Sequence, residues 1–309
     1  MKKILVLGAS GFVGKNLTNY LTNNNIEFLS PSRNECNLLD SNSIDNYFKK
    51  HKPNIVLNVA GLSGGVGATS KEPAKFYYEN ILLGSFVTHY SWLHNVEKLV
   101  SLGAGCSYPT TANIPYNESD LFNGIPNKNT YGYGMAKSQL TIISNVYREQ
   151  YGFDSTVLLP ANLYGPNDNY NLESGNVVPS LIKKIIEGKE SVTIWGSGKA
   201  SRELLFIDDA VKAIIDSIKI NETGPFNLGT GIETSIKELV NNIVEITEYK
   251  GEIIWDTTKP DGQLNRYYNM DKFKESFGYV PNTSLKEGLS KTIQWYYYNQ
   301  YKLHKTINF

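Results

Sequence analysis

The sequence predicts an α/β fold: a doubly wound parallel sheet of the Rossmann type, with a second, smaller α/β substrate domain. Three observations predict it. Lys3-Ile-Leu-Val-Leu7 opens the chain as an apolar run suited to a strand buried on both faces. A glycine-rich turn, Gly8-Ala-Ser-Gly-Phe-Val-Gly14, follows it directly. Strand-like runs then alternate with helical stretches through the first half of the chain.

After the turn, Val13, Leu17 and Leu21 recur at helical spacing until Asn23-Asn-Asn25 ends the pattern. Strand, glycine turn and helix form the context that a dinucleotide-binding turn requires. Its glycines let backbone N–H groups approach a pyrophosphate, whose charge favours a helix N-terminus. Gly8, Ser10, Gly11, Phe12, Val13 and Gly14 are therefore cofactor candidates. The end of the second strand, Ile26-Glu-Phe-Leu-Ser30, selects the dinucleotide. An acidic residue there would accept bonds from a ribose 2′-OH and repel a 2′-phosphate. This chain continues Ser30-Pro-Ser32-Arg33, with Glu35 nearby. The hydroxyls and the guanidinium suit a phosphate, so Ser32 and Arg33 point to NADP(H).

Further strands are predicted at Ile55–Ala60, Lys98–Gly103 and Ser155–Pro160. Ligands in such sheets sit beyond the carboxyl ends of the strands. The loops Ala60–Thr69, Gly103–Pro109 and Pro160–Pro166 should therefore matter. From about Asn167 the alternation weakens, with shorter strands at Val192–Trp195 and Glu252–Trp255. The predicted division is a dinucleotide domain over 1–166 plus about 204–232, and a substrate domain over 167–203 plus about 233–309. The aromatic run Trp295–Tyr301 reads as the end of a packed amphipathic helix.

Composition fits a cytoplasmic enzyme. With 309 residues the chain exceeds one typical domain. Its 30 basic and 30 acidic residues cancel, so no global field draws it to nucleic acid or an anionic membrane. No signal peptide or membrane span is expected. Two cysteines, Cys36 and Cys106, make no disulfide framework and fit a reducing compartment. The histidines, His51, His89, His94 and His304, lack metal-ligand spacing, so no metal is expected.

The chemistry is carried by Tyr133-Gly-Met-Ala-Lys137. Tyr133–Tyr151 reads as a helix with apolar positions at Leu140, Ile143 and Val146, so residues 133 and 137 share a face. A tyrosine titrates near pH 10 unless perturbed. A neighbouring ammonium is expected to lower that pKa. The phenol then serves as acid or base for an alcohol–ketone pair while hydride moves to or from nicotinamide.

With these motifs the chain resembles the extended short-chain dehydrogenase/reductase superfamily and, within it, the GDP-L-fucose synthases, which epimerise and then reduce a GDP-4-keto-6-deoxy sugar with NADPH. The likeness runs nearly end to end. It includes Arg33-Asn-Glu-Cys-Asn-Leu-Leu-Asp40, Gly64-Gly65, Leu102-Gly-Ala-Gly-Cys-Ser-Tyr-Pro109 and Asn162-Leu-Tyr-Gly-Pro-Asn-Asp-Asn169. It continues through Trp195-Gly-Ser-Gly198, Arg202-Glu203, Asn227-Leu-Gly-Thr-Gly231 and Lys259-Pro-Asp-Gly262. The resemblance implies that Tyr133 protonates the nascent alkoxide at sugar C4. It implies that Lys137 tunes the phenol and bonds the nicotinamide ribose. Asp40, Leu102, Gly103, Pro160, Asn162 and Leu163 join the cofactor candidates. Ser107, Asn162, Asn176, Lys184, Trp195, Arg202, Lys259 and Asp261 become candidates for a GDP-linked keto sugar, the last residues around its diphosphate. A homodimer is implied at family level. Asp208-Asp209 reads as helix capping.

Two departures sharpen the expectation. Where the family carries a serine that binds the substrate carbonyl, this chain has Ala104, followed by Gly105. Neither side chain can donate, leaving Ser107 and Thr130 as the nearest hydroxyls. The family also moves protons at C3 and C5 with a Cys and a His. Cys106 keeps its place, but the histidine position is Asn176, whose amide does not titrate near neutrality. The expected enzyme reduces a GDP-linked 4-keto-6-deoxy hexose or heptose for surface polysaccharide and has lost epimerase activity. Alternatives are a retained epimerase/reductase and a non-catalytic NADP(H)-binding sensor. A 4,6-dehydratase would want an acidic residue among Ala104–Cys106, and there is none.

Overall fold

The computed structural model describes residues 2–172, 174–259, 261 and 265–306, with backbone alone over 301–306. The first half alternates as the sequence predicts. It runs β1 (Ile4–Leu7), α1 (Phe12–Asn23), β2 (Phe28–Leu29), α2 (Ser41–His51), β3 (Ile55–Asn58), α3 (Val66–Lys71), α4 (Pro73–Leu93), β4 (Lys98–Leu102), α5 (Tyr131–Tyr151) and β5 (Ser155–Pro160). The second half adds β6 (Asn162–Tyr164), α6 (Val177–Glu187), β7 (Ser191–Trp195), β8 (Ser201–Phe206), α7 (Ile207–Asp216) and β9 (Phe226–Leu228). It closes with β10 (Glu233–Ser235), α8 (Ile236–Thr247), β11 (Glu252–Asp256), α9 (Asp271–Phe277) and α10 (Leu285–Thr306).

Six strands form the main sheet in the order β2-β1-β3-β4-β5-β9, with every pairing parallel. Strands β1, β3, β4 and β5 are buried at every position, which explains why apolar residues dominate them, with Asn58, Lys98, Ser101, Ser155 and Thr156 as buried polar exceptions. The chain leaves β1 for β2 on one side and returns with β3 on the other. The crevice between β1 and β3 is thus the switch point, where a ligand is expected.

Strand β8 pairs with β6 and β10 in a three-stranded sheet, and β7 pairs with β11 in a two-stranded one. All three predicted loops contain structure, the 103–109 loop a single 3-10 turn over Gly105–Ser107. Residues 162–164 form β6 because Asn162, Leu163 and Tyr164 pair in register with Leu204, Leu205 and Phe206. Residues 66–71 form α3, pinned where the Thr69 hydroxyl reaches Asn129 O at 3.0 Å. Neither segment is long enough to announce itself without its partner.

The capping reading of Asp208-Asp209 is corrected. Phe206 is the N-cap of α7, and the Asp209 carboxylate accepts from the N–H and hydroxyl of Thr283 at 3.0 and 2.9 Å. It ties down the approach to α10. In α10, Tyr296 is buried and donates to Glu187 at 2.7 Å, so the aromatic run lies on a packed helix, which continues beyond it to Thr306 and leaves Tyr298 exposed. No helix among the described residues is long and apolar enough to cross a membrane.

Helix α1 backs directly onto the glycine turn. A Cβ at Gly14 would lie 2.0 Å from Gly8 O and 2.6 Å from Ala9 Cα. Both are backbone atoms and cannot step aside cheaply. Gly14→Ala should therefore lower the midpoint of urea unfolding by an amount equivalent to about 1–3 kcal/mol. An unchanged midpoint would contradict this packing.

Candidate active site

A cavity of about 660 Å³ opens beyond the carboxyl ends of β1, β3, β4 and β5, within the size range of cofactor sites. Its phosphate-sized end is built by the glycine turn. Gly8 has φ +89°, and a Cβ there would strike Ala60 Cα at 2.6 Å. No side chain caps α1 at Gly11, so the N–H groups of its first turn remain for an anion. The cradle fits a dinucleotide pyrophosphate.

Every cofactor candidate lines this cavity except Gly14, Ser32 and Asp40. Gly14 supports the turn from beneath. Ser32 is spent locally: its N–H and hydroxyl both donate to Glu35 at 2.8 Å. Asp40 caps α2, accepting from Asn42 N at 3.0 Å. Arg33 remains on the wall, with Pro31, Cys36 and Leu39 beside it. Arg33 thus puts a cation on this wall, while the predicted Ser32 hydroxyl is turned to Glu35.

Tyr133 and Lys137, one turn apart on α5, both line the cavity. The phenol stands edge-on to Phe76, with ring centroids 6.1 Å apart. Lys137 is buried, and its ammonium donates to Leu102 O at 3.0 Å. Burial pushes the Tyr133 pKa well above the ordinary value, and the nearby Cys106 raises it further. Burial also pulls Lys137 down to about 8. The expected lowering of the phenol's pKa by the ammonium is therefore not found. Loss of solvent penalises both charged forms, and here it dominates. Tyr133 is held as a neutral phenol, the form that can give up a proton.

Around the pair the substrate candidates divide. Cys106 and Asn176 line the cavity. Burial raises the Cys106 thiol, against the pull of Arg266 and Lys137. Ser107 does not line it; its hydroxyl is buried and donates to Gly134 O at 2.9 Å. Thr130 does line it. Two further lining residues were missed by sequence reasoning. Arg266 sits beside Cys106, on a segment with no pattern of its own. Asp168 was quoted only as part of a motif. It is buried, its Oδ2 has no hydrogen-bond partner, and burial lifts its pKa to about 7.

The remaining candidates lie off this lining, and all but Arg202 form a second cluster. Trp195 is 67% exposed, with the ammonium groups of Lys184 and Lys259 at 5.8 and 5.7 Å from its ring. A flat aromatic flanked by two cations suits a base and its phosphates. Asp261 shapes this cluster rather than facing outward: its carboxylate accepts from Ser197 N and Oγ at 2.6 and 2.7 Å. Arg202 is largely buried near Arg266, whose charge adds to burial in lowering its pKa. Pro260 and Gly262 of the same motif lie outside the described residues.

The profile described as NAD dependent epimerase/dehydratase family matches residues 4–229. The GDP-L-fucose synthase of Escherichia coli K12 is 32% identical, covering 97% of this chain and 98% of that protein. The GDP-L-colitose synthase of Yersinia pseudotuberculosis is 33% identical, covering 95% of this chain and 97% of that one. A GDP-mannoheptose C4 reductase from Campylobacter jejuni, solved with NADP bound, superposes with a TM-score of 0.87 at 29% identity, covering 96% and 98% of the two chains.

Lys137 has a measurable signature in stability. Its ordinary pKa of 10.5 falls to about 8 in the fold, so the unfolded chain binds the extra proton between those values. Stability is lowered below pH 8, by about 3 kcal/mol, and recovers as pH rises from about 8 to 10.5. Lys137→Met should raise Tm at pH 7, with the gain shrinking across that window. A gain independent of pH would contradict it.

Proposed function

Because the chain belongs to the NAD dependent epimerase/dehydratase family, we propose that it is an NADPH-dependent reductase acting at C4 of a GDP-linked 4-keto-6-deoxy sugar. The sugar is a hexose or heptose bound for surface polysaccharide. The observation that carries this reading is a neutral phenol, Tyr133, beside Lys137 on the lining of a dinucleotide-shaped cavity. Bound NADPH would supply the hydride, with Arg33 and the uncapped start of α1 holding its phosphates. Tyr133 donates its proton to the C4 oxygen, and Lys137 stabilises the charge left behind. Trp195, Lys184 and Lys259 take the guanine and diphosphate. The chain divides accordingly into a cofactor domain and a nucleotide-sugar domain with the predicted boundaries.

Loss of epimerisation follows from the shortage of bases. Asn176 cannot titrate, and Cys106 is held as a thiol by burial. A second reading keeps epimerase activity, favoured by the cavity-lining Asp168 with its unpartnered Oδ2. One experiment separates them: GDP-4-keto-6-deoxymannose with NADPH in deuterated water. The reductase reading expects one hydride transferred to C4, no deuterium at C3 or C5, and a ~10³-fold loss of kcat in Tyr133→Phe. Deuterium at C3 or C5 that disappears in Asp168→Asn would favour the epimerase.

The protein is further proposed to be a homodimer joined across α4 and α5. Tyr77, Tyr78, Ile142 and Val146 are exposed there, and a groove of about 230 Å³ runs between the two helices. Light scattering should give twice the 34.6 kDa chain mass, and Ile142→Glu should halve it. A wild-type monomer would refute the interface.

A further inference from the structure

The loop after β4 poses a question that the reductase reading leaves open: which group binds the keto oxygen? The side chains of Ala104 and Gly105 carry no donor, and the nearby hydroxyls are committed. Ser107 Oγ is bonded to Gly134 O, the Tyr268 hydroxyl to Pro160 O at 3.2 Å, and the Thr130 hydroxyl to Asn127 O at 3.4 Å. The space over Gly105 is filled from another part of the chain. A Cβ at residue 105 would lie 1.8 Å from the Tyr268 hydroxyl and 3.1 Å from Arg266 Nη2. Gly105 is thus bare because a side chain from the C-terminal third of the chain stands where its own would be.

Arg266 reaches the reacting end of the cavity. It lines the wall with Gly105, Cys106, Tyr133 and Lys137. Its guanidinium lies close enough to Cys106 for its charge to oppose the effect of burial on that thiol. Its backbone is fixed on both sides. Glu203 N donates to Arg266 O at 3.0 Å, Tyr268 N donates to Glu203 Oε2 at 2.7 Å, and Tyr116 N donates to Tyr267 O at 2.9 Å. Thr230 and Gly231 N–H groups donate to the other Glu203 oxygen. A guanidinium carries five N–H donors in a planar fork, enough to meet a substrate oxygen while its backbone is held in place.

Resting on the reductase reading, we propose that Arg266 binds the keto oxygen of the sugar in place of the absent loop serine. As hydride reaches the carbon, negative charge gathers on that oxygen, and a fixed cationic donor stabilises it. Tyr133 then delivers the proton to the same atom. The competing role for Arg266 is the sugar nucleotide's diphosphate, since Arg202 lies near it.

The test uses the full-length enzyme with NADPH and GDP-4-keto-6-deoxymannose, alongside binding of NADPH alone and of GDP alone. Arg266→Met should lower kcat by ~10²-fold, with Tm and the affinities for NADPH and GDP within twofold of wild type. Arg266→Lys should recover part of the loss. Adding Ala104→Ser to Arg266→Met should restore at least tenfold, because it returns a hydroxyl to the same oxygen. Wild-type kcat in Arg266→Met overturns the proposal. So does a loss matched by equally weakened GDP binding, which assigns Arg266 to the diphosphate. If Arg266→Met fails to fold, Arg266→Lys with unimpaired kcat and no response to Ala104→Ser overturns it equally. Failure of the reductase reading shows in the wild type, as no NADPH consumption on any keto sugar, and takes this inference with it.

Discussion

Removal of water from Tyr133 and Lys137 is the constraint on which the active site depends. In solution a phenol and an ammonium one helical turn apart would favour each other's charged forms. Inside this fold burial decides instead: the phenol is driven to its neutral form and the lysine down to about 8. Neutral phenol is an acid in waiting. Such a site is biased toward delivering a proton to an alkoxide, the direction in which a ketone is reduced.

The rest of the architecture can be understood as a means to that desolvated corner. Four strands buried on both faces end together and leave a cavity at the switch point between β1 and β3. Gly8 and Gly14 let α1 and β3 crowd the turn, so that backbone rather than side chain faces a phosphate. Helix α5 carries the catalytic pair along one face, packed against α4. The 266–268 segment then closes the far wall, held by the buried carboxylate of Glu203. That carboxylate, lifted to about 7 by burial, accepts from three backbone N–H groups.

Much of this was legible in the sequence, for physical reasons. Strands β1, β4 and β5 show as apolar runs because both faces are buried, and α5 shows because its apolar positions keep helical spacing. The shorter α3 and β6 were not legible, since each exists only through tertiary partners. Ser32 and Asp40 were plausible by residue type, yet local bonds to Glu35 and Asn42 consume them. The shift of Tyr133 was misjudged because spacing reveals a neighbouring charge but not the loss of water. Arg266 and Asp168 escaped notice for a related reason: each matters by where long-range packing leaves it, and neither belongs to a pattern of spacing.

The central claim concerns the protonation state of one phenol, and it can be read directly. Protein carrying ¹³Cζ-labelled tyrosine, with Tyr133→Phe to assign the resonance, would be titrated by NMR without ligands. The account predicts that Tyr133 shows no phenolate up to pH 10, the ordinary titration point of tyrosine. A Tyr133 midpoint near neutrality would show that the Lys137 ammonium, not burial, controls the site.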